Sequence, residues 1–173
     1  MLFSGEYSFR GSHAGKVIRL TAAFDKKNNR LFSRNLDVYL LAPIVGFLYS
    51  RTAELDKGDE TKIFPEQISR EQTSLWFSYR LIMLLDKKHE PDFEKRVNRA
   101  FRNYCTVTPQ NPEALLYESY VRGGVDVLYE KLIEAAKTED DYLKNLYDFM
   151  EEFEERYGQS TSEIIDLCHL AKS

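Results

Sequence analysis

The run Leu36-Asp37-Val38-Tyr39-Leu40-Leu41-Ala42-Pro43-Ile44-Val45-Gly46-Phe47-Leu48-Tyr49 is the one long, nearly uncharged apolar stretch in a chain of which 30% of residues are charged. A segment that crosses a bilayer needs roughly 20 such residues. This run is too short for that, so other parts of the chain must cover it. It predicts a central, almost wholly buried helix from about Leu36 to Ala53. Pro43 has no backbone N–H to give, so a kink is expected there, or a break into two shorter helices.

The flanking sequence supplies the cover. Phe3, Tyr7 and Phe9 share one parity, which suits a short strand or extended arm over residues 1–11. Ser12 is placed to cap a helix from His13 to Phe24, with Val17, Leu20 and Phe24 on one stripe. Asp25 to Arg30 reads as a polar turn, and residues 54–66, acidic and containing Gly58, read as an exposed loop. A helix is expected from Ser69 to Asp86. Pro91 and Pro112 each stand at a first-turn position and open further helices, the first running to about Tyr104. The second is expected to break at Gly123-Gly124 and resume as Val125 to Ala136. Thr138 caps a helix from Glu139 to Tyr157, whose Leu143, Leu146, Met150, Phe153 and Tyr157 recur at heptad spacing. Ser160-Thr161-Ser162-Glu163 has the form of a capping box for a last short helix. At 173 residues the chain is the size of one domain with a self-sufficient core. The expected fold is a single all-α domain of seven or eight helices with a short extended or β N-terminal arm.

No cationic, apolar leader pattern opens the sequence, which predicts a cytoplasmic protein with no membrane span. Cys105 and Cys168 are far apart and form no CxxC, so both are expected as small core hydrophobes. The net charge of -4 is uneven: residues 1–35 carry +5, residues 36–110 balance, and residues 111–173 carry -9. Such a split suits two halves that neutralise each other, within one fold or in a homo-oligomer, or a basic face for nucleic acid.

Catalytic patterns fail on spacing. Gly11-Ser12-His13-Ala14-Gly15-Lys16 has three residues between its glycines where a phosphate-binding loop needs four, and Val17 follows in place of the Ser or Thr that would reach Mg²⁺. Glu163, Asp166 and His169 spread over a wide arc of one helix, and His89 with Glu90 and Asp92 falls in a turn, so no metal set is signalled. Glu151, Glu152, Glu154 and Glu155 lie opposite the apolar seam, as a solvated face would, with Glu152 and Arg156 spaced for an i,i+4 pair. There is no G-x-S-x-G, and neither cysteine has a basic flank. The sequence therefore predicts no catalytic residue, no cofactor and no metal: a binding protein, not an enzyme.

Two binding surfaces stand out. Arg10, Lys16, Arg19, Lys26, Lys27, Arg30 and Arg34, with Lys95, Arg96, Arg99 and Arg102 on a second helical stripe, form the candidate DNA-binding set. Phe3, Tyr7 and Phe9 of the arm, with Glu151, Glu152 and Glu155, form the candidate protein-binding set.

Two segments also resemble a known family. Arg34 to Phe47 is similar to the Arg…Asp-Val…Ala…Gly-Phe helix of small proteins encoded beside DNA phosphorothioation (Dnd-type) genes. Tyr120-Val121-Arg122-Gly123-Gly124-Val125-Asp126-Val127-Leu128 is similar to their Tyr-x-x-Gly-Gly-x-x-x-Leu element. The resemblance implies an accessory protein of a bacterial DNA-modification or anti-phage locus, with no catalytic residues assigned. The expected function is a non-enzymatic interaction subunit acting by protein–protein binding, with a DNA-binding module as the alternative.

Overall fold

The computed structural model describes residues 1–170, with side chains through residue 158. Its seven α-helices and one two-stranded sheet make an all-α fold with a short β arm. The central apolar run forms α2 (Asn35–Leu48), which buries Leu36, Val38, Tyr39, Ala42 and Val45. Asp37 anchors its start, accepting the Arg34 N–H at 2.9 Å and the Arg34 guanidinium at 2.6 Å.

The helix passes through Pro43 without the expected break, and it stops at Leu48 rather than Ala53. Ser50 takes φ +52° and donates its N–H to Phe47 O, while the Arg51 N–H reaches Gly46 O at 2.8 Å. This Schellman pattern closes the terminal carbonyls and turns the chain. With serine in place of the usual glycine, nothing in the sequence marks the stop.

Against α2 packs α6 (Pro112–Tyr129), which runs unbroken through Gly123-Gly124. The break expected there is absent because these glycines are contact points. A Cβ on Gly124 would lie 1.7 Å from Ala42 O, and one on Gly123 would lie 2.0 Å from Arg51 O. From the other side, a Cβ on Gly46 would lie 2.1 Å from Tyr120 O. The two helices meet backbone to backbone. A mid-helix glycine costs roughly 1 kcal/mol, and the tight apposition offsets that.

The arm forms β1 (Tyr7–Arg10), paired antiparallel with β2 (Glu60–Ile63) in a register that sets Tyr7 opposite Ile63 and Arg10 opposite Glu60. Part of the expected 54–66 loop is therefore a strand, and its last residues begin α3 (Pro65–Arg70). The remainder of that segment folds onto α1 (Gly11–Leu20). Asp56 Oδ2 accepts the Ser12 N–H at 2.9 Å, so α1 is capped by a carboxylate distant in sequence rather than by the Ser12 hydroxyl. Gly11, at φ +57°, leaves room for it. Phe24 falls beyond the end of α1.

The helix expected from Ser69 divides at Glu71 into α3 and α4 (Gln72–Leu85). Asp92 caps α5 (Phe93–Val97) by accepting the Lys95 N–H at 3.0 Å. The expected continuation to Tyr104 opens instead into a π turn over Asn98–Arg102, closed by the Asn103 N–H on Asn98 O at 2.9 Å, and then a 3-10 turn over Tyr104–Thr106. Cys105 is exposed in that turn rather than buried. The side chain of Cys168 lies outside the described residues.

The chain divides into two compact units, residues 1–130 and 131–173. In the second, α7 (Glu139–Leu170) continues through residues 160–163, so no separate last helix forms. Asp141 Oδ2 reaches back to the Lys137 and Thr138 N–H groups and caps its start. Leu143 and Met150 of the expected seam are exposed, while Phe149 is buried beside Phe153.

Candidate functional site

The arm, α2 and α6 border a groove of about 410 Å³ in the first unit. Tyr7 of β1 stacks on Tyr39 of α2 with ring centroids 4.1 Å apart, and the Tyr39 hydroxyl donates to Glu118 Oε1 of α6 at 2.9 Å. Burial pushes the Glu118 carboxyl above its ordinary range, while hydrogen bonds from Tyr7 and Tyr39 and the nearby charge of Arg122 pull it back. Burial, and then Glu118 itself, raise both tyrosines well above the usual phenol value. The two phenols therefore stay protonated and donate. Arg122 is fixed by its Nε–H on Ala53 O at 2.9 Å. Leu55 and Leu115, 63% and 56% exposed, flank this polar centre on the groove walls.

Two further polar clusters are structural in their geometry. Asp86, 1% exposed at the end of α4, accepts the His89 N–H at 3.1 Å, contacts His89 Nδ1 at 2.8 Å, and accepts the Tyr120 hydroxyl at 3.0 Å. Burial pushes this carboxyl up, but the hydrogen bonds from His89 and Tyr120 hold it below its ordinary value. His89 is thus an oriented imidazole with no serine or cysteine in this set to activate. Asp126 of α6 meets Lys16 Nζ at 2.6 Å and the buried His13 Nε2 at 3.3 Å, which ties α1 to α6. Burial raises Asp126 as well, and His13 and Lys16 bring it below the carboxylate norm. Among the described residues no group of three or more His, Cys, Asp or Glu side chains is placed to hold a metal.

The candidate DNA-binding residues do not share one surface role. Arg10 pairs with Glu60 at 3.0 Å, Arg34 with Asp37, and Lys16 with Asp126; Arg19 donates to the Tyr129 hydroxyl. Arg30 donates to Thr21 O and Asn28 Oδ1, and Lys26 and Lys27 are exposed on the turn after α1. On the second stripe, Lys95 is exposed and Arg102 donates to Asn98 Oδ1. Arg96 is buried, with its guanidinium on Leu84 O, Glu90 O and Pro91 O at 2.8–2.9 Å. That side chain closes the C-terminal end of α4. The π turn removes Arg99 from the stripe and sets it in a separate pocket.

Of the candidate protein-binding residues, Phe3 and Phe9 are each 2% exposed and belong to the core. Phe3 packs edge-on against Trp76 and Tyr117. Phe3 and Tyr7 both line the groove, and of the two Tyr7 keeps part of its surface open. In the second unit Glu152 pairs with Lys131 and Arg156, while Glu151 and Glu155 are exposed. Glu118 is absent from the sequence-derived candidates, though it had a signal. It is a lone carboxylate on the apolar stripe of Ala114, Tyr117, Val121 and Val125. Among the described residues no helix is long and apolar enough to cross a membrane. The chain matches no protein-family model, no curated protein and no solved structure.

Proposed function

We propose that this chain is a non-enzymatic binding subunit that takes an extended segment of a partner protein in the groove beside β1. The observation that carries this reading is an unpaired strand edge next to an apolar-walled cleft. β1 has β2 on one side and no strand on the other among the described residues, and the groove with Leu55 and Leu115 borders the arm. An open edge offers backbone N–H and C=O groups to an incoming strand, and flanking apolar pockets add side-chain selectivity. The Glu118–Tyr7–Tyr39 set supplies fixed polar contacts at the centre. The resemblance of Arg34 to Phe47 and of Tyr120 to Leu128 to proteins of Dnd-type loci supports a partner within a bacterial DNA-modification or anti-phage assembly.

Selection of extended peptides from a displayed random library, followed by titration of the enriched sequences, tests it. Binding at micromolar strength that falls at least about tenfold in Leu55→Asp and Leu115→Asp is expected. Failure to enrich any peptide, or equal binding by both variants, refutes it. The second reading, DNA binding, is favoured by the exposed Lys26 and Lys27. It predicts binding to duplex DNA that falls steeply between about 50 and 200 mM salt and vanishes when Lys26, Lys27 and Arg30 are changed to Glu.

A further inference from the structure

The π turn and the start of α6 enclose a second pocket, of about 240 Å³, lined by Tyr79, Arg99, Asn103, Thr106, Asn111 and Glu113 among others. Its polar groups are unusually placed. Arg99 Nε and Nη2 are shielded from solvent and have no hydrogen-bond partner among the described residues. These are the two parallel donors on one edge of a guanidinium, the pair that grips a carboxylate bidentately. The Tyr79 hydroxyl is likewise buried and without a hydrogen-bond partner among the described residues, on a side chain 0% exposed. Leaving such groups unmatched costs roughly 1–3 kcal/mol each, more for a charged one, and both side chains line this one cavity.

The opposite charge is there too. Glu113 lines the same pocket, yet neither it nor Arg99 takes part in an ion pair among the described residues. Both charges reach the Tyr79 hydroxyl, which is raised by burial, raised further by Glu113 and lowered by Arg99. Two opposite charges that share a small cavity without neutralising each other form a dipolar site. The presence of Glu113 disfavours a doubly charged phosphate. The volume suits a molecule well below drug size.

We propose that the pocket between the π turn and the start of α6 binds a small amine-bearing carboxylate, its carboxylate on the Arg99 Nε–Nη2 edge and its ammonium toward Glu113. This is independent of the groove beside β1. Trp76, the chain's one tryptophan, lies edge-on to Tyr79 at 5.5 Å and to Tyr104 at 5.2 Å, so its emission reports on the site.

The test is titration of the full chain with glycine, 4-aminobutyrate, acetate and inorganic phosphate. It is followed by Trp76 emission and by the NMR shift of the Arg99 Nε–H. Saturation by glycine or 4-aminobutyrate below about 50 mM is expected. Affinity for them should fall at least about tenfold in Arg99→Gln, and Glu113→Gln should weaken them more than acetate. Arg102→Gln, changing an exposed neighbour, should leave binding unchanged. Near-ultraviolet circular dichroism checks the fold of each variant. Arg99→Lys, which keeps the charge without the fork, replaces Arg99→Gln if that variant unfolds. No saturation by either amino acid, saturation by phosphate alone, or wild-type affinity in the Arg99 variant overturns the proposal.

Discussion

Replacing Gly124 by alanine adds one methyl group at the tightest point between α2 and α6. The new Cβ would stand 1.7 Å from Ala42 O and 2.5 Å from Ala42 C, whereas ordinary contact begins at 3.4 Å. The helices would have to separate locally by about 1.7 Å, the difference between those two distances. Neither side can rotate away, because the clash is with backbone. The separation would loosen Ala42, Val45, Tyr120 and Val121, all buried. Overpacking costs about 1–3 kcal/mol and occasionally more, and a clash with backbone belongs at the upper end. Alanine's better helix propensity returns roughly 1 kcal/mol, for a net loss of about 2 kcal/mol.

Gly15 in α1 supplies the control, since a Cβ there meets nothing within 4 Å. Gly15→Ala should stabilise by up to about 1 kcal/mol through propensity and a less free unfolded chain. The same chemical change thus carries opposite signs at two sites, some 3 kcal/mol apart, or about 6–12 °C in Tm. Urea and thermal unfolding followed by Trp76 emission measure it within residues 1–130. A Gly124→Ala variant within about 0.5 kcal/mol of wild type, or stabilised as Gly15→Ala is, would refute the backbone-to-backbone account.

Arg96→Ala should destabilise by about 3 kcal/mol, because it strands the carbonyls of Leu84, Glu90 and Pro91. Arg96→Lys should recover little of that, since a single ammonium does not reproduce the fork; urea midpoints of the two variants decide. Asp86 is held below its ordinary pKa in the folded chain by His89 and Tyr120, against the opposing effect of burial. Its contribution is therefore complete above the unfolded value of about 3.9 and is lost as pH falls through the lower folded value. Asp86→Asn should lower stability at neutral pH and flatten the acid limb of a stability-against-pH curve. An unchanged acid limb would assign the acid sensitivity to other carboxylates.

Local chemistry made much of this fold legible from the sequence. The apolar run could only be a buried helix, Pro112 marked the start of α6, and the parity of Tyr7 and Phe9 marked an extended arm, whereas Pro91 stands before the N-cap of α5 and Phe3 lies in a turn ahead of β1. What escaped were features whose cause lies far away along the chain. β2 is a strand because β1 lies beside it; alone, Glu60 to Ile63 reads as part of a polar loop. Asp56 caps α1 from the loop before β2, and Gly123-Gly124 reads as a break until α2 is seen to need the space. The basic stripe failed for a related reason. Charge and spacing say that Arg96 and Arg99 are cationic and helical, but only packing decides that Arg96 closes α4 and that a π turn sets Arg99 in a pocket. Periodicity reports which residues leave water, because burial follows the helix repeat. It does not report which distant backbone or side chain they meet there, and at Glu118 and Asp86 that meeting fixes the cluster.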